Sequence, residues 1–164
     1  MSDISLLRAF FRALTWNALT GVVTLFVGMR IPRKLNPEAF PFRAYAFEAE
    51  GRVYRALGVH RWKDRLPDAS RVFRGMTRKA IAGEARPEPL ERLVQETCVA
   101  EATHWLLIAL SPVSLLFTPA FAGLIFCALY ALGNLPFIII QRYNRPRLQN
   151  ALRLMRRRES AKKP

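Results

Sequence analysis

Residues 102–141 read ATHWLLIALSPVSLLFTPAFAGLIFCALYALGNLPFIIIQ, forty consecutive positions without an Asp, Glu, Lys or Arg. A single bilayer crossing takes roughly 20 apolar residues, so the run is long enough for two. Two Pro-containing breaks, Ser111-Pro112 and Thr118-Pro119, lie inside it. The expected structure is a helical hairpin, one span in and one span out. Its mouths carry the chain's most distinctive polar residues: Glu96, Thr97, Glu101, His104 and Trp105 before it, and Gln141-Arg142-Tyr143-Asn144-Arg145-Pro146-Arg147-Leu148 after it.

A second uncharged stretch, Ala13 to Met29, ends at Arg30. Arg8 and Arg12 before an apolar core could belong to a signal peptide, but small residues at the cleavage spacing are missing. An uncleaved anchor over about residues 6–29 fits better. Its Asn17, Thr15, Thr20 and Thr24 suit a helix packed on other helices. The fold expected is therefore all-α and integral to a membrane, with one N-terminal span, a C-terminal hairpin and a basic helical segment. The domain plan is a single membrane domain: 30–95 is the cytoplasmic helical segment, 96–141 the hairpin, and 142–164 a basic amphipathic tail.

The chain has 164 residues and a formal charge of +14. Residues 1–29 carry two Arg and one Asp, whereas residues 142–164 carry nine basic residues and one acidic. Charge of this size on a soluble domain would point to nucleic acid. Beside apolar spans it is explained by positive flanks on the cytoplasmic side, and no base-reading motif accompanies it, so no nucleic-acid partner is expected. Arg30, Arg33 and Lys34 outweigh Arg8 and Arg12. That places the N-terminus outside and the C-terminus in the cytoplasm of a multi-pass protein of the cell (inner) membrane. Cys98 and Cys127 fit neither a disulfide nor a zinc pattern.

Between the spans, Pro32 to Pro41 reads as irregular. Phe42 to Leu57 has helical spacing, either as a basic helix lying in the headgroup region or as an ordinary packed helix. His60 to Pro67 reads as a polar-aromatic loop and Ser70 to Ala82 as a short helix. A long helix is expected over about 90–110 and a return helix over 121–140, kinked near Asn134 and Pro136. Pro146 to Arg158 reads as a separate basic amphipathic helix with Leu148, Leu152 and Met155 on its apolar face, suited to anionic headgroups.

A hairpin turning near Ser114–Thr118 would set His104 opposite Asn134, and Glu96 opposite Gln141 and Arg142, at about 1.5 Å rise per residue in each limb. Ionisable groups at such depth are functional candidates. Two chemistries fit. Glu-x-x-His, as in Glu101 to His104 with Glu96 nearby, is half of a carboxylate-bridged metal site, but the chain holds two histidines in all. Alternatively His104 is a general base on a hydroxyl, with Glu101 or Glu96 orienting it, while Arg142, Arg145 and Lys63 bind phosphate or an oxyanion. The second needs no metal and no cofactor. A non-catalytic scaffold, recruiting acidic partners or anionic lipid through its basic faces, stands as the rival from another class.

On these residues the chain resembles the glycosyl-4,4'-diaponeurosporenoate acyltransferase family, which completes staphyloxanthin-type carotenoid glycolipids. The resemblance is carried by Arg30-Ile31-Pro32, Phe47-Glu48 with Gly51, Arg61-Trp62-Lys63, Glu96-Thr97, Ala100-Glu101, His104-Trp105, Asn134, Pro136 and the octet Gln141–Leu148. It departs from the family's pattern at Asp64, where a His follows Trp-Lys, and at Pro67. The resemblance implies transfer of a fatty acyl group to a sugar hydroxyl of a membrane-embedded carotenoid glycoside. The expected site combines His104, Glu101 and Glu96 as catalytic residues. Lys63, Trp62, Asn134, Gln141, Arg142, Tyr143, Asn144, Arg145 and Arg147 are the expected substrate and donor contacts. The partners expected are membrane lipid, the lipid-linked glycoside and an acyl donor, acyl-CoA or acyl carrier protein. Self-association into a homo-oligomer is left open.

Overall fold

A computed structural model describes residues 3–66 and 87–162. The described residues are mostly helical, with no strand among them and an irregular stretch over 31–45. The helices are α1 (Asp3–Arg30), α2 (Arg52–Ala56), α3 (Val59–Trp62), α4 (Pro87–Leu110) and α5 (Ala120–Lys162). Three stretches, Leu7–Arg30, Pro87–Phe117 and Ala120–Ala161, are long and apolar enough to cross a membrane. The contacts divide the chain into two compact units: residues 1–31 with 102–138, and residues 32–101 with 139–164.

The first unit is packed the opposite way to a water-soluble bundle. On α1 the buried stripe is Ala9, Ala13, Asn17, Thr20 and Thr24, spaced three to four residues apart as one helix face requires. The large apolar side chains of the same helix, Leu19, Val22, Val23, Leu25 and Phe26, point outward and stay more than half exposed. Small and weakly polar residues let helix backbones approach and leave the greasy faces for lipid. The inward polar groups are satisfied locally. Asn17 Nδ2 donates to the Ala13 carbonyl at 2.9 Å, and Thr20 Oγ1 donates to Trp16 at 2.9 Å.

The turn between α4 and α5 is a 3-10 helix, Ser111–Phe117, with Pro112 in its first turn. Hydroxyls replace the hydrogen bonds that the tighter winding loses. Ser111 donates to Ile108, Ser114 to Ser111 and Thr118 to Ser114, all at 2.7–2.9 Å. The Cys127 thiol reaches the Ser111 carbonyl at 3.4 Å, which gives that cysteine a packing role in the turn. Trp16 Nε1 donates to the Leu110 carbonyl at 3.3 Å and its ring meets Phe117 edge-on, so α1 is tied to the turn.

The second unit has a conventional core. Leu90 packs with Ala151 and Met155, and Val94 with Leu148. A further cluster joins Tyr54, Val59, Ile140 and Tyr143. Gln95 clamps the Leu35 backbone, accepting from its N–H at 2.7 Å and donating to its carbonyl at 2.8 Å.

Four sequence expectations need correction. The segment 42–57 is not one helix: a 3-10 turn, Ala46–Gly51, precedes the five-residue α2. Gly51 sits at φ +85°, a conformation open to glycine and closed to a continuing right-handed helix. The region after Gly58 (φ +63°) is not a loop, since α3 and a 3-10 turn, Lys63–Arg65, follow it. The tail is not a separate helix; α5 runs unbroken through Pro136 and Pro146 to Lys162. Nor is the tail's apolar face offered to headgroups. Leu148 and Met155 are at most 4 % exposed, covered by Val94 and Leu90 of α4. The short helix expected over 70–82 lies outside the described residues.

Leu148→Ala is expected to cost about 2–5 kcal/mol, the range for truncating a buried leucine, and Leu154→Ala, at an exposed position, to cost little. Thermal unfolding of the two purified variants in one detergent checks the contrast.

Candidate active site

Two groupings of the sequence-selected residues stand out, one in each unit. The first is a buried charge cluster on Glu101. Helix spacing puts Thr97 and Glu101 one turn apart on α4, and Arg142 and Arg145 three apart on α5. Glu101 is fully buried, and its two carboxylate oxygens are divided. Oε1 accepts from Arg142 Nη1 at 2.6 Å, and Oε2 accepts from Arg145 Nη2. Arg142 Nε also donates to Glu48 at 2.6 Å. Two guanidiniums therefore face two carboxylates, and the cluster carries no net charge.

The remaining donors go to backbone. Arg142 reaches the carbonyls of Pro41 (3.0 Å) and Arg43 (2.9 Å); Arg145 reaches that of Phe42 (2.6 Å), together with Thr97 Oγ1 (3.0 Å) and its carbonyl (3.1 Å). Every guanidinium nitrogen of both arginines has a partner. Three successive carbonyls after the Pro-rich stretch are thus held by side chains, where no regular ladder could serve them. Arg142 lies over the Tyr45 ring at 4.8 Å and Arg145 over Phe42 at 5.4 Å. Tyr54 borders the cluster; burial pushes its hydroxyl pKa up and its hydrogen bond to Glu48 pushes it further, so it serves as a neutral donor.

Glu96 does not face Gln141 and Arg142. It pairs with Arg33 at 3.3 Å and with Arg92 at 3.8 Å, because the residues after α1 fold back along α4. Lys63, 5 % exposed, pairs with Asp64 at 3.5 Å, and its ammonium lies 5.9 Å from the centre of the Tyr143 ring. Arg147 stacks closer on that ring, at 4.0 Å. Trp62 packs against the Tyr54–Tyr143 cluster and donates its indole N–H to Leu57. Three side-chain atoms on this part of α5 are buried without a hydrogen bond among the described residues: Gln141 Oε1, the Tyr143 hydroxyl and Asn144 Nδ2.

The second grouping surrounds His104. The expected pairing with Asn134 is present: Nδ1 of His104 lies 2.9 Å from Asn134 Oδ1. Its ring stacks on Phe137, centroid to centroid 4.8 Å and nearly parallel. Phe137 is three residues beyond Asn134, so one face of α5 supplies both contacts. The half-buried imidazole is held at one nitrogen and across one face, while Nε2 has no partner among the described residues. No metal-holding group of His, Cys, Asp and Glu occurs among the described residues.

Glu48, Thr97 and Phe137 were not selected from sequence as site residues. Glu48 has Arg52 four residues on as a local candidate partner, so nothing in the sequence signalled that the distant Arg142 meets it. Phe137 was concealed by its surroundings, one apolar residue in a run of them.

A family-wide sequence profile described as glycosyl-4,4'-diaponeurosporenoate acyltransferase matches residues 38–154. Among curated relatives, the glycosyl-4,4'-diaponeurosporenoate acyltransferase of Staphylococcus aureus strain bovine RF122 / ET3-1 is 30% identical over 154 residues, covering 92% of this chain and 91% of its own. The enzyme of that name from strain MRSA252 is equally similar, and that from strain N315 is 29% identical over 153 residues. No solved structure matches the chain.

Replacing Glu101 by Leu strands two buried guanidiniums and is expected to cost about 3–5 kcal/mol. Glu96→Gln breaks a pair about one-third exposed and is expected to cost under about 1 kcal/mol. Parallel melting curves distinguish these outcomes.

Proposed function

The chain belongs to the glycosyl-4,4'-diaponeurosporenoate acyltransferase family and is an acyltransferase, and we propose that it esterifies a sugar hydroxyl of a lipid-like carotenoid glycoside with a fatty acyl group. The observation that carries the chemistry is the single fixed orientation of His104, engaged at Nδ1 and open at Nε2. A hydroxyl is a poor nucleophile until a positioned base removes its proton in the transition state.

In the proposed reaction Nε2 of His104 takes the proton of the sugar hydroxyl as its oxygen attacks the acyl carbonyl of a thioester. The tetrahedral intermediate collapses with cleavage of the carbon–sulfur bond. The imidazolium returns the proton to the departing thiolate, leaving ester, thiol and neutral histidine. Acyl transfer of this kind needs no metal and no redox cofactor.

The acyl donor, acyl-CoA or acyl carrier protein, brings phosphate. Arg142 and Arg145, first candidates for phosphate, have their donors committed to Glu48, Glu101, Thr97 and backbone. We therefore assign donor recognition to Arg147, exposed beside the Tyr143 ring, with Lys63 and Trp62 alongside. Gln141, Tyr143 and Asn144 of the same unit keep unused hydrogen-bonding atoms, and Glu101 fixes that unit's charge cluster.

Membrane residence is part of the same proposal. Three helices of sufficient length and apolarity, together with the outward-facing Leu, Val and Phe of α1, support a multi-pass protein of the cell membrane. The basic flanks support a cytoplasmic C-terminus.

Membranes from cells that make the glycosylated carotenoid are expected to yield its fatty acyl ester by mass spectrometry when this chain is present. His104→Ala, inserted at equal abundance, is expected to yield none; wild-type ester levels in that variant would exclude His104 as the base. Topology is checked separately: a reporter active only in the cytoplasm is expected to function when fused after Pro164.

A further inference from the structure

The hydrogen bonds around His104 contain more information than its orientation. Asn134 sits on α5 with its Nδ2 donating to the Tyr130 carbonyl at 2.8 Å. A carbonyl oxygen can only accept, so the NH2 end of the amide must face Tyr130. That fixes the amide's flip, and Oδ1 is the end that meets His104 Nδ1 at 2.9 Å. An amide oxygen also only accepts, so the proton in this contact has to be on Nδ1. In the neutral ring the lone pair is then on Nε2, the nitrogen with no partner among the described residues.

We propose that Asn134 is a positioning residue for the acyl transfer, holding neutral His104 as the Nδ1–H tautomer so that Nε2 is the basic nitrogen. The proposal rests on the reading of His104 as the base. It moves the orienting role expected of Glu101 to a residue first taken as a substrate contact. Both Glu101 oxygens accept from arginines, whereas Asn134 has one free choice left, and the histidine takes it.

The pairing resembles the way other catalytic and metal-binding histidines are fixed through their second nitrogen. The Phe137 ring adds a second constraint: parallel stacking at 4.8 Å fixes the plane of the imidazole, and the Asn134 hydrogen bond then selects between the two flips within that plane. One amide and one aromatic ring, three residues apart on α5, thereby determine which nitrogen is basic and where it points.

The chain has two histidines, His60 and His104, which makes a direct test practicable. In full-length protein carrying His60→Gln and 15N-labelled histidine, the spectrum above the imidazole's titration reports His104 alone. The expected result is a pyrrole-type resonance for Nδ1 and a pyridine-type one for Nε2. The opposite assignment overturns the proposal without touching the role of His104 in activity. Asn134→Leu is expected to mix or reverse the tautomers and to lower kcat by roughly 10- to 100-fold, less than the full 10²–10⁴ that general base catalysis supplies, with KM little changed. Unchanged kcat alongside a His104-dependent activity would also overturn it.

Asn134→Gln guards against a folding artefact, since it keeps an uncharged amide with both an accepting oxygen and a donating nitrogen. It is expected to favour the Nδ1–H tautomer and to keep more of kcat than Asn134→Leu. If His104→Ala proves active, the base reading fails by itself, and the positioning role fails with it.

Discussion

The second unit depends on placing two guanidiniums and two carboxylates out of water. Glu101 receives Arg142 on one oxygen and Arg145 on the other, and Glu48 receives Arg142 again. Burying such charges is expensive, and an apolar replacement of equal volume is often no less stable. What the cluster supplies is direction. Guanidinium donors lie in a fixed plane, so once the carboxylates hold that plane, the remaining N–H groups can reach only particular carbonyls. Those carbonyls are Pro41, Phe42 and Arg43. A Pro-punctuated segment with no ladder of its own is thereby given one conformation, and with it the position of Tyr45, Glu48 and the 3-10 turn that follows.

The two units solve opposite burial problems with the same two helices. From Ala102 to Phe137 the most exposed positions are apolar, and the buried ones, Ser111, Ser114, Gly123 and Asn134, are small or polar. Before and after that stretch, Leu90, Val94, Leu148 and Met155 turn inward in the ordinary way. A change of inward preference along α4 and α5 is expected where a helix leaves lipid for water, because the driving force for burying leucine disappears in hydrocarbon. In the first unit specificity therefore falls to a few polar contacts: Trp16 on the Leu110 carbonyl, the Ser–Thr staples of the turn, and His104 on Asn134.

The long apolar helices were legible because length and composition constrain them jointly. Forty uncharged residues with prolines in the middle admit few structures, and counting across the turn was enough to pair His104 with Asn134. Near the mouth the same count failed for Glu96. Equal rise in two limbs says nothing about a third segment, and Arg33, brought back along α4 after α1, claimed that carboxylate first. The region 42–57 misled for a local reason: its apolar spacing is helical, yet Gly51 at positive φ interrupts it. The tail misled for a tertiary one. Leu148, Leu152 and Met155 make an amphipathic face, and periodicity does not reveal whether lipid or α4 covers it. Pro146 looked like a boundary, but the loss of one N–H inside a long, side-packed helix is tolerated when neighbours hold the backbone in place.

A neutral partner for His104 makes physical sense at this position. A carboxylate on Nδ1 would stabilise the imidazolium of the transition state more strongly, as in the triads of soluble hydrolases. It would also have to be ionised and unpaired among Phe137, Leu135 and the rest of an apolar run, where an isolated charge is very costly. Among the described residues the buried carboxylates Glu48 and Glu101 each have arginine partners, and no arginine is seen at His104. An amide gives up some transition-state stabilisation and retains the geometric information, since its oxygen accepts one hydrogen bond in one place. Its other end is satisfied by the Tyr130 carbonyl one turn back, so the arrangement leaves neither end of the Asn134 side chain unpaired. In a segment built to exclude charge, a histidine can be oriented by hydrogen-bond polarity alone.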